Sequence, residues 1–282
     1  MGPLVSVIVP TKNSSDTIDL CLSSIINQTY KNIEIIVVDN YSTDTTITIA
    51  LKYTKKIFTV GPERSVQMNF GAKMASGKYI YRVDSDFILD TDLIAEAVNT
   101  AESNNYGAII IHNASDESVS FWSRVRKMER DMYVSDESKV AVRFIRKDVF
   151  TSVGGFDPLL FAAEDYDLHN RIIKEFAVGR IKARELHKGE AKSLKEIAQK
   201  HYYYGKNTIY FLKKNKKRAL IQLTPFKGIY LEFFSHPVLG AGFITYQVVR
   251  YVSGFCGMLV YLLQIMWKRL LKYIKISYFD RS

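Results

Sequence analysis

Two short β-branched runs, Val5-Ser6-Val7-Ile8-Val9-Pro10 and Ile33 to Val38 (IEIIVV), set the tightest limit on how this chain can fold. Both read as strands buried on both faces, and such strands belong to sheets covered by helices on each side. Between them, Ile18, Cys21, Leu22, Ile25 and Ile26 recur at helical spacing within Asp16 to Gln28, with Ser14, Ser15 or Asp16 available as N-cap. The rhythm continues with a helix from about Thr43, a strand near Ile57 to Val60, a helix from about Ser65 to Ala75 and a strand from Tyr79 to Val83. This alternation predicts an α/β fold with a parallel sheet and right-handed crossovers.

In such a sheet ligands collect at the carboxyl ends of the strands. Polar residues stand at those ends: Thr11, Lys12 and Asn13 after the first strand, Asp39 and Asn40 after the second, Asp84 and Asp86 after the fourth. No GxGxxG or GxxxxGK[ST] is present, so a metal ion is the expected partner for phosphates in place of a glycine-rich loop. The stretch VDSDFIL (83–89) sharpens the point. On a continuing strand Asp84 and Asp86 would share one face and repel, each losing hydration, so a positive charge is required between them.

Beyond residue 90 the pattern predicts a helix from Asp92 to Ser103, a strand from Ala108 to Ile111, a helix around Phe121 to Met132 and a strand from Val140 to Ile145. A turn at Gly154-Gly155-Phe156-Asp157-Pro158 then leads to a helix opening at Ala163-Glu164-Asp165-Tyr166-Asp167 and running to about Phe176. Acids in a first helical turn suit the helix dipole, which accounts for Glu164, Asp165 and Asp167 without any chemistry.

Charge is divided unevenly. Residues 1–170 carry 17 Lys and Arg against 23 Asp and Glu, whereas residues 171–282 carry 22 against 6. The basic residues flank apolar runs, which favours an anionic membrane surface over nucleic acid. From Val238 to Trp267 the chain is almost wholly apolar, broken by Gln247, Arg250 and Gln264, which share a stripe with Gly254 and Gly257. The expectation is a helical hairpin of Gly228 to Val249 with Tyr251 to Trp267, in or on a membrane and followed by Lys268-Arg269; the alternative is a soluble helical subdomain. Three units follow: a domain over 1–200, a basic aromatic connection over 201–227 and apolar helices over 228–282. Cys21 and Cys256 have no metal-ligand spacing and read as free thiols, and the apolar strand at the N-terminus predicts no secretory leader.

Four ordered blocks, VSVIVPTKN (5–13), VVDNYSTDTT (37–46), the Asn69, Gly71, Ala75-Ser76-Gly77 series leading to YRVDSDFIL (81–89), and GGFDPLLFAAEDYDL (154–168), resemble the inverting family 2 glycosyltransferases with a GT-A fold. The likeness extends over roughly residues 4 to 190. It implies a Rossmann-like mixed sheet with flanking helices, and a nucleoside diphosphate sugar, UDP- or GDP-linked, as donor. Pro10, Thr11, Asn13, Asp39, Asp84 and Ser85 would line the nucleotide slot. Asp86, with Asp84 through water and His187 from a later segment, would hold Mn²⁺ or Mg²⁺, supplying the missing positive charge; a structural role for His187 is the alternative. Asp165 would be the base and Glu164 would orient the acceptor or its loop.

That base implies an acceptor hydroxyl, on a lipid-linked or membrane-proximal glycan at the cytoplasmic face of the cell membrane, with no nucleic acid partner and the oligomeric state open. The alternatives are a polyprenyl phosphate acceptor, whose ionised oxygen needs no base, and an idle sugar-nucleotide-binding subunit of a membrane complex. A nucleotidyltransferase would share the paired acids but calls for glycine in the loop after the first strand, where Pro10-Thr11-Lys12-Asn13 has none. Arg64, Lys78 and Arg82 are diphosphate contacts or surface residues, and Arg143 and Arg146 belong to the site or to the scaffold.

Overall fold

The computed structural model describes residues 2–134, 136, 138–223 and 235–279. Strands β1 (Val5–Thr11), β2 (Ile33–Asp39), β3 (Ile57–Thr59), β4 (Tyr79–Arg82), β5 (Phe87–Leu89), β6 (Ala108–Ser115), β7 (Val142–Arg146) and β8 (Val178–His187) form one sheet. Their order is β3-β2-β1-β4-β7-β6-β8-β5. Its helices are α1 (Ile18–Ile26), α2 (Thr46–Ala50), α3 (Arg64–Met74), α4 (Leu93–Asn104), α5 (Phe121–Met132), α6 (Lys147–Ser152), α7 (Glu164–Ile172), α8 (Leu194–Gly205), α9 (Thr208–Lys214), α10 (Lys216–Leu223) and α11 (Pro237–Phe279).

Strand β1 shows why both faces must be covered. Val5, Val7 and Val9 turn to one side, where α1 and α4 supply Ile18, Cys21, Leu22, Ile25, Leu93 and Ala97. Ile8 turns to the other, against Met68 and Ala72 of α3 and Leu168 and Ile172 of α7. Each fully buried large aliphatic side chain contributes about 1.5–3 kcal/mol, so this two-sided core holds the strand ends in place.

The mixed sheet that the resemblance implies is what the structure has, and the run of consecutive parallel neighbours that the alternation predicts is β3, β2, β1 and β4. Strand β7 enters antiparallel between β4 and β6, β8 runs parallel to β6, and β5 closes the edge antiparallel to β8. Apolar runs look alike in either direction, so periodicity carried no information about this reversal. Strands β5 and β8 were not expected, and α2 begins three residues later than about Thr43.

The C-terminal hairpin is replaced by one continuous helix, α11, which passes through Val249 and Tyr251 without a turn. The part of that hairpin at residues 228–234 lies outside the described residues. Gly254 and Gly257 sit within α11 as contact points: a Cβ on Gly257 would lie 2.0 Å from the Tyr202 carbonyl oxygen, and one on Gly205 of α8 would lie 2.0 Å from that of Gly254. Small residues here let two helix backbones meet, and the boundary drawn at residue 200 falls inside α8. The connecting segment is itself folded. Asn207 accepts from the Phe161 amide at 3.2 Å and donates to the Leu159 carbonyl at 3.0 Å, bracing the loop that leads into α7.

Candidate active site

The ends of β1 and β2 are tied together. Thr11 pairs with Asp39 in register, and Gln67 of α3 donates to the carbonyls of Thr11 and Val38. Asp39 is 1% exposed, and its two oxygens accept from the amide and hydroxyl of Ser42. The acid therefore shapes the turn after β2. Asn13 joins the same turn, accepting from the Thr43 amide at 2.8 Å while its own amide donates to Ser42 Oγ. Asn13 and Tyr41 both adopt positive φ, 47° and 52°. Such backbones cost about 1–3 kcal/mol each and persist where the surroundings over-determine them. Pro10 is buried in β1, Ser85 donates to Ser14 Oγ at 2.9 Å, and the buried Thr11 hydroxyl makes no hydrogen bond among the described residues.

Asp84 and Asp86 separate into different surroundings. Arg82 and Arg143 each approach Asp84 Oδ2 at 3.2 Å, and Arg64 approaches Oδ1 at 3.4 Å. Burial acts to raise this carboxyl's pKa, but Arg82, Arg64 and Arg143 outweigh it and hold it well below the usual range. The positive charge that the acid pair demands is thus supplied, for Asp84, by three guanidinium groups. Of the cations considered from the sequence, Lys78 pairs with Glu102 and Arg146 with Asp148, away from these acids.

Asp86 meets His187 instead. The β5–β8 pairing puts Phe87 opposite His187, the two rings stack at 4.7 Å, and His187 Nε2 lies 3.0 Å from Asp86 Oδ2. His187 Nδ1 lies 2.9 Å from Glu190, which also pairs with Arg130 at 3.1 Å. Burial would lower the pKa of this imidazole, yet the bonds to Asp86 and Glu190 raise it. Both ring nitrogens face carboxylates, so the ring calls for a cation at Nε2 or for its own proton. A Cβ on Gly189 would lie 1.9 Å from Asp86 Oδ2, so only glycine fits beside this pair. Among the described residues no three His, Cys, Asp or Glu side chains form a complete metal site. An oxygen donor and an imidazole whose far nitrogen is held by a carboxylate nevertheless suit one divalent cation that takes its other ligands from a bound molecule.

Helix α7 follows Ala163, whose φ is 62°. Glu164 is 1% exposed and pairs with Arg64 at 2.6 Å and Arg82 at 3.6 Å, so it orients arginines from beneath the site. Asp167 binds Arg171 and Lys214 and is structural. Asp165 instead lines a cavity of about 200 Å³ together with Arg143. The sequence reading missed Arg130 and Glu190; Glu190, three residues after His187, was the available signal.

The family model for glycosyl transferase family 2 matches residues 6–164, more than half of the chain. The chain belongs to glycosyl transferase family 2. A glycosyltransferase of Haemophilus influenzae is 40% identical over 111 residues, covering 37% of this chain and 34% of its own. The poly(ribitol-phosphate) beta-N-acetylglucosaminyltransferase TarP of Staphylococcus aureus is 33% identical over 115 residues, covering 38% of this chain and 35% of its own. The chain thus spans about a third of the length of each of these two relatives. Among solved structures, the family 2 chain resembles a mannosyltransferase of Pyrobaculum calidifontis in complex with GDP-Man and Mn²⁺, at TM-score 0.63 and 16% identity, over 93% of this chain and 88% of that one. It also resembles S. aureus TarS 1–349 in complex with UDP-GlcNAc, at TM-score 0.55 and 18% identity, over 86% and 79%. These likenesses establish the GT-A fold.

Proposed function

We propose that this family 2 chain is a metal-dependent inverting glycosyltransferase, moving a sugar from a UDP- or GDP-sugar to a hydroxyl of a lipid-linked or membrane-proximal glycan. The observation that carries this reading is the gathering of Thr11, Asp39, Asp84 and the Asp86–His187 pair at the end of the sheet where β1, β2, β4 and β8 finish, with Asp165 reached through Arg143.

Thr11 and the turn built on Asp39 would receive the nucleoside, and Asp84, kept ionised by its arginines, would accept from ribose hydroxyls. Asp86 and His187 would hold Mn²⁺ or Mg²⁺, which when bound neutralises charge on the leaving diphosphate. Glu190 fixes His187 Nδ1 and turns Nε2 to the site. Asp165 would take the acceptor hydroxyl's proton as that oxygen attacks the anomeric carbon from the face opposite the diphosphate. The bond to the diphosphate breaks as the new glycosidic bond forms, which inverts the centre.

Helix α11 supports a membrane-surface setting. It is long and apolar enough to cross a bilayer, but Gln247 and Arg250 bond Glu129 of α5, and Gly254 and Gly257 lie on α8. A transbilayer course for this part would drag charged α5 and α8 into hydrocarbon. Its opposite face, with Val248, Val252, Phe255, Leu259, Leu263 and Met266 exposed at helical spacing, suits burial in a bilayer interface.

The deciding experiment is a thermal-shift screen of UDP- and GDP-sugars with and without Mn²⁺. A metal-dependent rise with one nucleotide class, lost in Asp86→Ala, upholds the reading; no rise in folded protein removes it.

A further inference from the structure

We infer that the cavity beside Asp165 binds a phosphate group carried by the acceptor. This rests on the transferase reading and names the acceptor's chemistry. Five cations line the cavity: Arg126 and Arg130 of α5, Lys139 ahead of β7, Arg143 of β7 and Arg250 of α11. Glu129 and Asp165 are the carboxylates that line it with them. Glu129 is shared, with Arg126 on one oxygen and Arg250 at 3.2 Å on the other. Arg130 leans outward to Glu190, and Arg143 to Glu185 at 2.7 Å and to Asp84, so the charge left over on the inner wall is that of Arg126 and Arg250, which share the one carboxylate of Glu129.

Burial first, and then the charge of Arg250, pushes Lys139 below its ordinary value, and burial keeps His112, on the same wall, low as well. A neutral glycan gives no return for setting Arg126 and Arg250 on one shared carboxylate at this cavity. Guanidinium groups match the several oxygens of a phosphate with paired donors, and a phosphate ester supplies the negative charge that Glu129 alone does not give Arg126 and Arg250. The position is apt, because Asp165 on the same wall would deprotonate a hydroxyl attached to the molecule whose phosphate is held. Arg250 adds depth information: it projects from the helix whose opposite face is the apolar stripe, which sets the anion near the level of lipid headgroups.

The test uses the full chain in mild detergent, with Mn²⁺ and the nucleoside diphosphate from the shift screen filling the donor site. Calorimetric titration with sn-glycerol 3-phosphate is expected to show binding that glycerol and glycerate do not match. Lys139→Gln and Arg250→Gln should each weaken it about tenfold, the usual scale for one charge-assisted contact. Nucleotide uptake by these variants reports that they are folded. Binding no tighter than that of glycerate, or unchanged binding in both variants, overturns the inference. Phosphate binding without nucleotide binding keeps the anion site and removes the transferase reading, whereas nucleotide binding without phosphate binding removes the anion site alone. Pelleting with phosphatidylcholine vesicles containing phosphatidic acid, competed by glycerol 3-phosphate, assigns the phosphate to a lipid; glycerol 3-phosphate binding with no vesicle preference assigns it to a soluble ester.

Discussion

Arg64 Nη2 lies 2.6 Å from Glu164 Oε1, while Nη1 of the same guanidinium reaches Asp84. One side chain of α3 therefore joins the acid after β4 to the acid that opens α7. Arg64→Ala leaves the buried Glu164 with Arg82, at 3.6 Å, as its nearest remaining cation. The expected loss is about 1–3 kcal/mol in denaturant unfolding. Arg64→Met with Glu164→Met should be less harmful than Arg64→Ala alone, since no buried charge is then stranded; an unchanged midpoint in Arg64→Ala would contradict the linkage.

Asp165→Asn should keep donor binding and lose transfer by about 10²–10⁴-fold, the usual range for a positioned base. Rates are to be compared under saturating donor. Near-normal turnover would point to an acceptor oxygen that arrives already ionised.

Glu190→Gln tests the support behind His187. Mn²⁺ affinity, read by calorimetry in the presence of nucleoside diphosphate, should fall about 10–100-fold. Asp86→Ala should abolish the metal-dependent part of nucleotide binding, and a chelator should reproduce that loss in the unaltered chain. Metal-independent nucleotide binding of equal strength would count against Asp86 as a ligand.

Glu129 anchors α11 to α5 and confers an acid sensitivity. Burial acts to raise its pKa, but Arg126, Arg250 and Gln247 bring it from 4.5 to about 2. A carboxyl lowered on folding contributes stability above its unfolded value and loses it as pH falls toward the folded one. Stability should therefore decline from about pH 4.5 toward pH 2, and Glu129→Gln should flatten that limb in pH-dependent unfolding. An identical slope in the variant would show that another group is responsible.

Val252→Glu with Phe255→Glu, both on the outward stripe of α11, should free the chain from lipid vesicles while leaving the contacts of Gln247 and Arg250 in place. Undiminished pelleting would place membrane attachment elsewhere.

Strands β1, β2 and β4 were legible because their side chains are apolar on both faces and the polar residues begin where each strand ends. Strand β8 was not. Its inward positions include Gly179, Ala183, Glu185 and His187, while Arg180, Lys182 and Arg184 alternate outward, so its buried face carries little apolar signal. Missing β8 also hid the pairing that brings His187 to Asp86. The acid motifs were visible, but their electrostatics depend on Arg64, Arg82 and Arg143, from α3, β4 and β7, and Lys78 looked equally suitable by sequence. For α11, the mixture of apolar, small and polar residues was evident, and what the polar stripe meets became clear only with α5 and α8 beside it.

The Asp86–His187 contact spans 101 positions of sequence, and this separation governs the order in which a newborn chain acquires its parts. At about 5–20 residues per second, β1 to β4 leave the ribosome on the order of ten seconds before residue 187 is made. Long-range strand pairing is slow to close even then. A nascent chain therefore carries the turns after β1 and β2 well before it can assemble the Asp86–His187 pair, and an interrupted synthesis product has the first without the second.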